Sequence, residues 1–411
     1  MKDIAVVGGG AAGLFFAIRA KQTCPQLAVV LYEAKDRVGK KIAITGNGRC
    51  NISNKSLMPD CYHGDRDFAW KCLQKFGFDE QKSYFEDLGI YFKLEGEKAY
   101  PNSLQAASVV DALRFTATEI GVEIITGSEV KSVKRDGSVF LVETDNSAEK
   151  FRSVVVATGG KAGGKLGGSS GYDILKSLGH KIEPIFPSLV QIKTDTSVVR
   201  QLKGIKVDAN VTIRSSYGER TEFGEVLFCD YGLSGPPVLQ VSRLANGENA
   251  RIILDLMPDF SEQQIVDILS KTVESHPLRA NSELFTGLLN KRLGQVITKM
   301  CGVALDGEFA SVKFDLIRNI AKTVKCFELK VNGTTGFENA QVTAGGAQTA
   351  QFFDNFMSKK AKGLFAIGEV LDVDGDCGGY NLAFAWASAF VAAEGAVDYL
   401  LSGKNDNNKK C

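Results

Sequence analysis

An α/β fold is predicted, with a parallel-sheet domain interrupted by an inserted β-barrel plus helical domain, and three observations carry it. The N-terminus reads strand, glycine-rich turn, helix, strand within residues 4–33. Two further strands, at residues 153–160 and 363–375, end in small-residue or glycine-bearing turns. Between them, residues 190–256 change to alternating β-branched runs and residues 261–326 to helical patterns. Composition agrees: 43 glycines in 411 residues exceed the usual ~7% while prolines number only 9, which suits a backbone that must turn sharply or approach something closely.

Residues 4–7, Ile-Ala-Val-Val, are a short buried-strand run, and a helical stretch follows over residues 14–21. The turn between them is a GxGxxG at Gly8, Gly10 and Gly13. A second strand, residues 27–32, ends at Glu33. In this context the three glycines serve different ends. Gly8 allows a tight turn, Gly10 lets the backbone approach a pyrophosphate, and Gly13 lets helix and strand pack closely. Unpaired N–H groups at the helix start, around Ala11 and Ala12, and the positive end of the helix dipole suit phosphate. Glu33, with Ala34 beside it, is placed to accept an adenosine ribose, and its charge disfavours a 2′-phosphate. The ligand is adenosine-containing, NAD or FAD.

Residues 35–54 bear on that choice. An ordinary third strand is expected of a nicotinamide-binding unit, but here a long polar loop carries Arg37, Lys40, Lys41, Thr45, Arg49, Cys50 and Asn51, with Gly46 and Gly48 flanking Asn47. Such a loop suits a longer cofactor with a ribityl chain and a flavin ring. The blocks Gly-Gly-Gly-Ala-Ala-Gly13, Glu33, Arg37-Val-Gly-Lys-Lys41 and Thr45-Gly-Asn-Gly-Arg-Cys-Asn-Ile-Ser-Asn54 resemble the YhiN/BaiN-type FAD flavoproteins, which include aminoacetone oxidase-like and dehydro-bile-acid reductase-like enzymes. The resemblance implies a two-dinucleotide-type Rossmann-like domain with non-covalent FAD.

The far end of the chain fits that resemblance. Ser-Val-Val-Val-Ala-Thr158-Gly159-Gly160 resembles the ATG turn of such flavoproteins, and Val130 matches the strand position whose backbone meets adenine. Gly368-Glu369 and then Gly379-Tyr380-Asn381-Leu382 precede a long alanine-rich helix. By the resemblance, Glu369 lies near the ribityl–pyrophosphate region and residues 379–382 lie at the flavin's pyrimidine end. The cofactor domain is therefore expected to be discontinuous, residues 1–190 and 336–411. The insertion is residues 191–335, β-rich over 191–258 and mainly helical over 259–335. Residues 232–242, 341–346 and 357–359 resemble further family blocks. Residues 229–231, 387–389 and the loop 161–171 depart from the family's usual pattern, so no relative's substrate carries over.

Charge and cysteines bound the partners. A net charge of +1 argues against a broad nucleic-acid-binding face. Nine scattered cysteines without a CxxC pair read as reduced thiols in a cytoplasmic protein, and no metal-ligand spacing occurs. The apolar run at 382–393 is short of the ~20 residues that a membrane span needs. Three readings follow: an FAD-dependent oxidoreductase of a small organic molecule, an NAD(P)H-dependent reductase of activated C=C bonds, and a flavin-containing binding or RNA-associated protein. The reductase would take its nicotinamide transiently, at residues 160–171. Arg49, Cys50 and Tyr231 stand nearest the motifs as acid–base candidates, and no catalytic residue is assigned. The oligomeric state is not legible.

Overall fold

The computed structural model describes residues 1–168 and 170–407, with side chains in the last helix to residue 402. The chain divides into two compact units, Met1–Phe186 with Gln341–Cys411, and Pro187–Ala340.

The first unit is built on a mixed sheet. Lys2–Val7 lies between Val29–Tyr32 and Ala148–Val156, all parallel, with Glu123–Ile125 added beyond Val29–Tyr32. The strand Ala148–Val156 is used twice along one edge. Its first half pairs antiparallel with Val139–Thr144, and its second half pairs parallel with Leu364–Ala366. The register is informative, since Val7 pairs with both Val156 and Tyr32, and Val156 pairs with Ala366. Four strands thus end at one level, and Gly8, Glu33, Ala157 and Ile367 all emerge from the same edge. In open α/β sheets ligands bind beyond that carboxyl edge.

These strands are short valine-rich runs buried on both faces, as parallel strands covered by helices must be. Helices Ala11–Thr23 and Tyr380–Asn407 provide cover. Phe15 of the first and Trp386 of the last meet at 5.6 Å between ring centroids, inside a cluster with Phe76, Tyr84 and Phe85. Burying each such ring stabilises the fold by about 1.5–3 kcal/mol. The last helix is the long alanine-rich one expected, and it continues well past the apolar run at 382–393. Over Tyr380–Ser402 it is long and apolar enough to cross a membrane, but 72% of its most apolar stretch is buried inside the fold. Glu394, which ended the apolar run in the sequence, forms a 2.8 Å ion pair with Arg19 of the first helix. It interrupts the apolar composition without ending the helix.

In the second unit a closed barrel runs in the order Ile192–Thr194, Gly232–Ser234, Gly218–Phe228, Lys206–Ser215, Arg251–Asp255, Phe327–Thr334 and back to the first. The closing strand falls within the stretch expected to be mainly helical. Its alternation explains it: Phe327, Leu329 and Val331 face inward while their neighbours are exposed. The helical part begins where residue type predicts. Ser261 caps Glu262–Ser275 through a reciprocal box with Gln264, at 3.2 and 2.8 Å.

Candidate functional site

The first helix starts immediately after Gly10, and its first intrahelical bond runs from the Leu14 N–H to the Gly10 carbonyl at 3.0 Å. The N–H groups of Ala11, Ala12 and Gly13 therefore have no intrahelical acceptor. Gly8 has a φ of +110°, and a Cβ there would lie 2.5 Å from the Ala157 carbonyl oxygen. A Cβ on Gly13 would overlap the Gly8 carbonyl. Gly10 differs from both, because a Cβ there meets no atom of the described residues within 4 Å. The fold itself requires glycine at 8 and 13. At 10 it leaves open space in front of three N–H donors.

Glu33 closes one side of this space. Its Oε2 accepts the Gly9 N–H at 2.9 Å and its Oε1 accepts the Lys35 N–H at 2.8 Å. The segment leading to Val130 runs beside it, with the Ser128 N–H bonded to the Glu33 carbonyl at 2.9 Å. Val130 itself is buried, while Ala34 and Arg37 are exposed.

The stretch expected as one polar loop contains structure. Lys40–Ile44 is a short helix anchored by buried Ile42, and Thr45 closes it by donating its hydroxyl to the Ile42 carbonyl at 2.7 Å. Lys40 pairs with Asp36. Lys41 reaches Glu369 at 2.6 Å, and the other Glu369 oxygen accepts the Thr343 N–H at 2.8 Å. Gly368 packs on the first helix, where a Cβ would come within 3.0 Å of Ala12 Cβ. Gly159 and Thr158 lie beyond the strand that ends at Val156, and an added Gly160 Cβ would press on Glu369. The structure therefore brings Gly8–Gly13, Glu33, Lys41, Thr158, Gly159, Gly368 and Glu369 together around the sheet edge.

A second group forms at the start of the last helix. The turn Gly46–Asn47 and Cys50 all adopt left-handed backbone. Residues 51–54 then run against residues 378–386. The Asn54 amide donates to the Gly378 carbonyl at 2.8 Å, and the Trp386 indole N–H to the Ile52 carbonyl at 2.9 Å. Gln81 bridges the two by accepting the Ser53 hydroxyl at 2.7 Å and donating to the Ala383 carbonyl at 3.1 Å. Gly379, with a φ of +97°, passes so near Ser53 that a side chain would overlap its carbonyl. The Ala383 N–H bonds Gly379, so the N–H groups of Tyr380, Asn381 and Leu382 have no intrahelical acceptor. Asn51 Oδ1 is buried at this point without a hydrogen-bond partner among the described residues. Asn381 uses its side chain to clamp the preceding turn, exchanging 2.8 Å hydrogen bonds with the Gly375 N–H and carbonyl.

The acid–base candidates look different in three dimensions. Arg49 is paired with Glu95 at 2.5 Å and stacked over Tyr100. Cys50 is fully buried, and burial pushes its thiol up to about 12 despite the neighbouring Thr45 hydroxyl. Tyr231 belongs to the other unit. Sequence reasoning missed His63, whose Nε2 is 2.8 Å from Asp376 Oδ1. It also missed Tyr62, which donates to the Tyr380 carbonyl at 3.1 Å and meets the Tyr380 ring edge-on. Burial pushes the Tyr380 hydroxyl up, reinforced by Cys61 and Asp376. Asp376 could have been suspected from its place in the acidic turn before Gly378, but nothing in the sequence marks His63.

The open space at Gly10, the two sets of helix N–H donors, Glu33 and the orphaned Asn51 oxygen fit an FAD molecule. A sheet edge furnished in this way is that of a Rossmann-type FAD-binding domain. Residues 2–395 match the family described as HI0933-like protein Rossmann domain, and the chain belongs to that family. It is 36% identical to a 3-dehydro-bile acid delta(4,6)-reductase of Clostridium scindens, over 97% of this chain and 100% of that protein. It is 30% identical to a ribosomal RNA dihydrouridine synthase of Haemophilus influenzae, over 94% of this chain and 96% of that one. Among solved structures it resembles the 3-ketosteroid delta1-dehydrogenase of Sterolibacterium denitrificans in fold, with a TM-score of 0.51 at 14% identity, covering 97% of this chain and 99% of that one.

Proposed function

We propose that the protein is an FAD-dependent reductase of a C=C bond conjugated to a carbonyl in a small organic molecule, with NAD(P)H as transient electron donor. The observation that carries this reading is the end-to-end similarity to a protein named as a bile acid delta(4,6)-reductase. Bound FAD supplies hydride chemistry. The chain's own groups divide the remaining work. Ala11, Ala12 and Gly13 would present N–H groups to the pyrophosphate, and Glu33 would accept the ribose hydroxyls. Lys41 and Glu369 would border the ribityl–pyrophosphate region as a fixed ion pair. At the other end, Asn51 Oδ1 would accept a ring N–H, and the N–H groups of residues 380–382 would stabilise negative charge on the reduced ring.

A second reading has its own support, since two relatives at 30% identity over nearly the full chain are named ribosomal RNA dihydrouridine synthases. A uracil ring carries the same conjugated C=C–C=O unit. The near-neutral charge of this chain favours the small molecule.

Anaerobic stopped-flow mixing of the holoprotein with NADH and NADPH should bleach the flavin absorbance. Subsequent mixing with a conjugated steroid enone should restore it. Restoration by uridine-containing ribosomal RNA fragments and not by enones would move the assignment to the second reading. Bleaching by amines alone, with peroxide released once oxygen is admitted, would discard both.

A further inference from the structure

Two tyrosine hydroxyls in the sheet-based unit, those of Tyr32 and Tyr172, are buried without a hydrogen-bond partner among the described residues. The two residues are 2% and 4% exposed. A buried hydroxyl left unpaired is costly, so each calls for a reason. Their surroundings differ. Tyr32 meets Phe151 edge-on, and burial pushes its hydroxyl up to about 12, with Glu149, Lys2 and Glu123 acting on it. Those three charges sit at or beside the starts of their strands, the end of the sheet away from Gly8 and Glu33.

Tyr172 lies at the other end. It follows Gly171 at the start of the helix Ser170–Ser177, and a Cβ on Gly171 would fall 2.0 Å from the Thr158 hydroxyl oxygen. One on Gly168 would fall 2.3 Å from the Thr158 carbonyl oxygen. The chain is thus folded tightly onto the turn beyond Val156, which fixes where Tyr172 begins. Burial pushes its hydroxyl up, reinforced by the Glu369 and Asp372 carboxylates, so it stands within electrostatic reach of Glu369. Glu369 gives one oxygen to Lys41 at 2.6 Å and the other to the Thr343 N–H at 2.8 Å, and neither bonds Tyr172. The hydroxyl therefore offers a donor to an oxygen brought to this edge. Two carboxylates beside it disfavour a further anion, so a neutral oxygen suits it better than a phosphate.

We propose that the Tyr172 hydroxyl donates a hydrogen bond to a ribityl hydroxyl of bound FAD; this rests on the reading of the site as one for FAD. The contact anchors the flavin side of the cofactor beside the Lys41–Glu369 ion pair and leaves the adenosine half to Glu33 and the first helix.

Calorimetric titration of FAD and of ADP into the apoprotein compares wild type with Tyr172→Phe and Tyr32→Phe. In Tyr172→Phe the FAD Kd should rise about 3- to 10-fold while the ADP Kd stays unchanged. Its apoprotein should melt at or above the wild-type temperature, because the variant removes an unpaired hydroxyl. Tyr32→Phe removes an equally buried hydroxyl from the other end of the sheet and should leave both affinities unchanged. A structure of the wild-type holoprotein, which needs no variant to fold, should place a ribityl oxygen about 2.5–3.0 Å from the Tyr172 hydroxyl. Unchanged FAD affinity in Tyr172→Phe, an equal loss for FAD and ADP, the same loss in Tyr32→Phe, or a water in place of the ribityl oxygen overturns this contact alone. Wild-type apoprotein that binds ADP and not FAD overturns the FAD reading and the contact with it.

Discussion

Replacing Gly10 with alanine separates what the fold requires from what the ligand requires. The backbone there has a φ of −82° and a ψ of −163°, an extended conformation open to any L residue. The added methyl meets no atom of the described residues within 4 Å. Stiffening the unfolded chain favours the variant by about 0.4–1 kcal/mol, and losing a glycine from the helix N-cap costs about the same, so the apoprotein should melt near wild type. The ligand is affected differently, because the methyl projects into the space before the Ala11–Gly13 N–H groups. Loss of one hydrogen bond to a charged phosphate costs about 1.5–3 kcal/mol, or about a 10- to 150-fold rise in the FAD Kd. Gly13→Ala is the control. Its methyl collides with the Gly8 carbonyl, so the apoprotein itself should lose about 1–3 kcal/mol or more. Fluorescence titration with FAD, beside thermal unfolding of each apoprotein, reads both quantities. A normally folded Gly10→Ala protein with wild-type FAD affinity would refute the placement of the pyrophosphate.

Three further outcomes are expected. Glu33→Ala should weaken FAD binding at least about 10-fold. Glu33→Gln should not rescue it, because the amide N–H would face the N–H of Gly9 or Lys35; equal affinity across all three proteins would remove Glu33 from the site. Cys50, with its thiol raised to about 12, should resist iodoacetamide in the native protein at pH 8 while exposed Cys326 reacts, and similar labelling of the two by mass spectrometry would contradict the burial argument. His180 is held neutral, its pKa lowered from 6.5 mainly by burial. The unfolded chain therefore binds the proton more readily, so stability should be full above about pH 6.5 and fall as the pH drops below it. Urea midpoints of wild type between pH 7.5 and 5.5 should show this fall. His180→Gln should be less stable at the higher pH and flatter across the range, and a wild-type slope retained in the variant would exclude His180 as its source.

The parts of this molecule legible in its sequence are those where a local backbone demand selects a residue type. Gly8 and Gly13 are glycine because a side chain would strike the backbone, and strand-turn-helix spacing exposes that demand within about 30 residues. The capping box at Ser261 is equally local. The barrel was half visible, since its closing strand Phe327–Thr334 comes after an intervening helical stretch and its partners are set by register alone. The candidate site was legible on the same terms. Glu33 belongs to a motif, whereas the grip of Asn54 on Gly378 spans 324 residues and that of His63 on Asp376 spans 313. No propensity or periodicity encodes such pairs, because they exist only once the sheet has brought residues 51–64 against residues 373–386. Arg49 and Cys50 show the converse. Proximity to a glycine-rich motif nominated both, yet Glu95 and Tyr100 occupy the arginine and burial keeps the thiol neutral. A motif locates the backbone that holds a cofactor; side-chain pairs beside it, such as His63 with Asp376, are set by tertiary neighbours and required the structure.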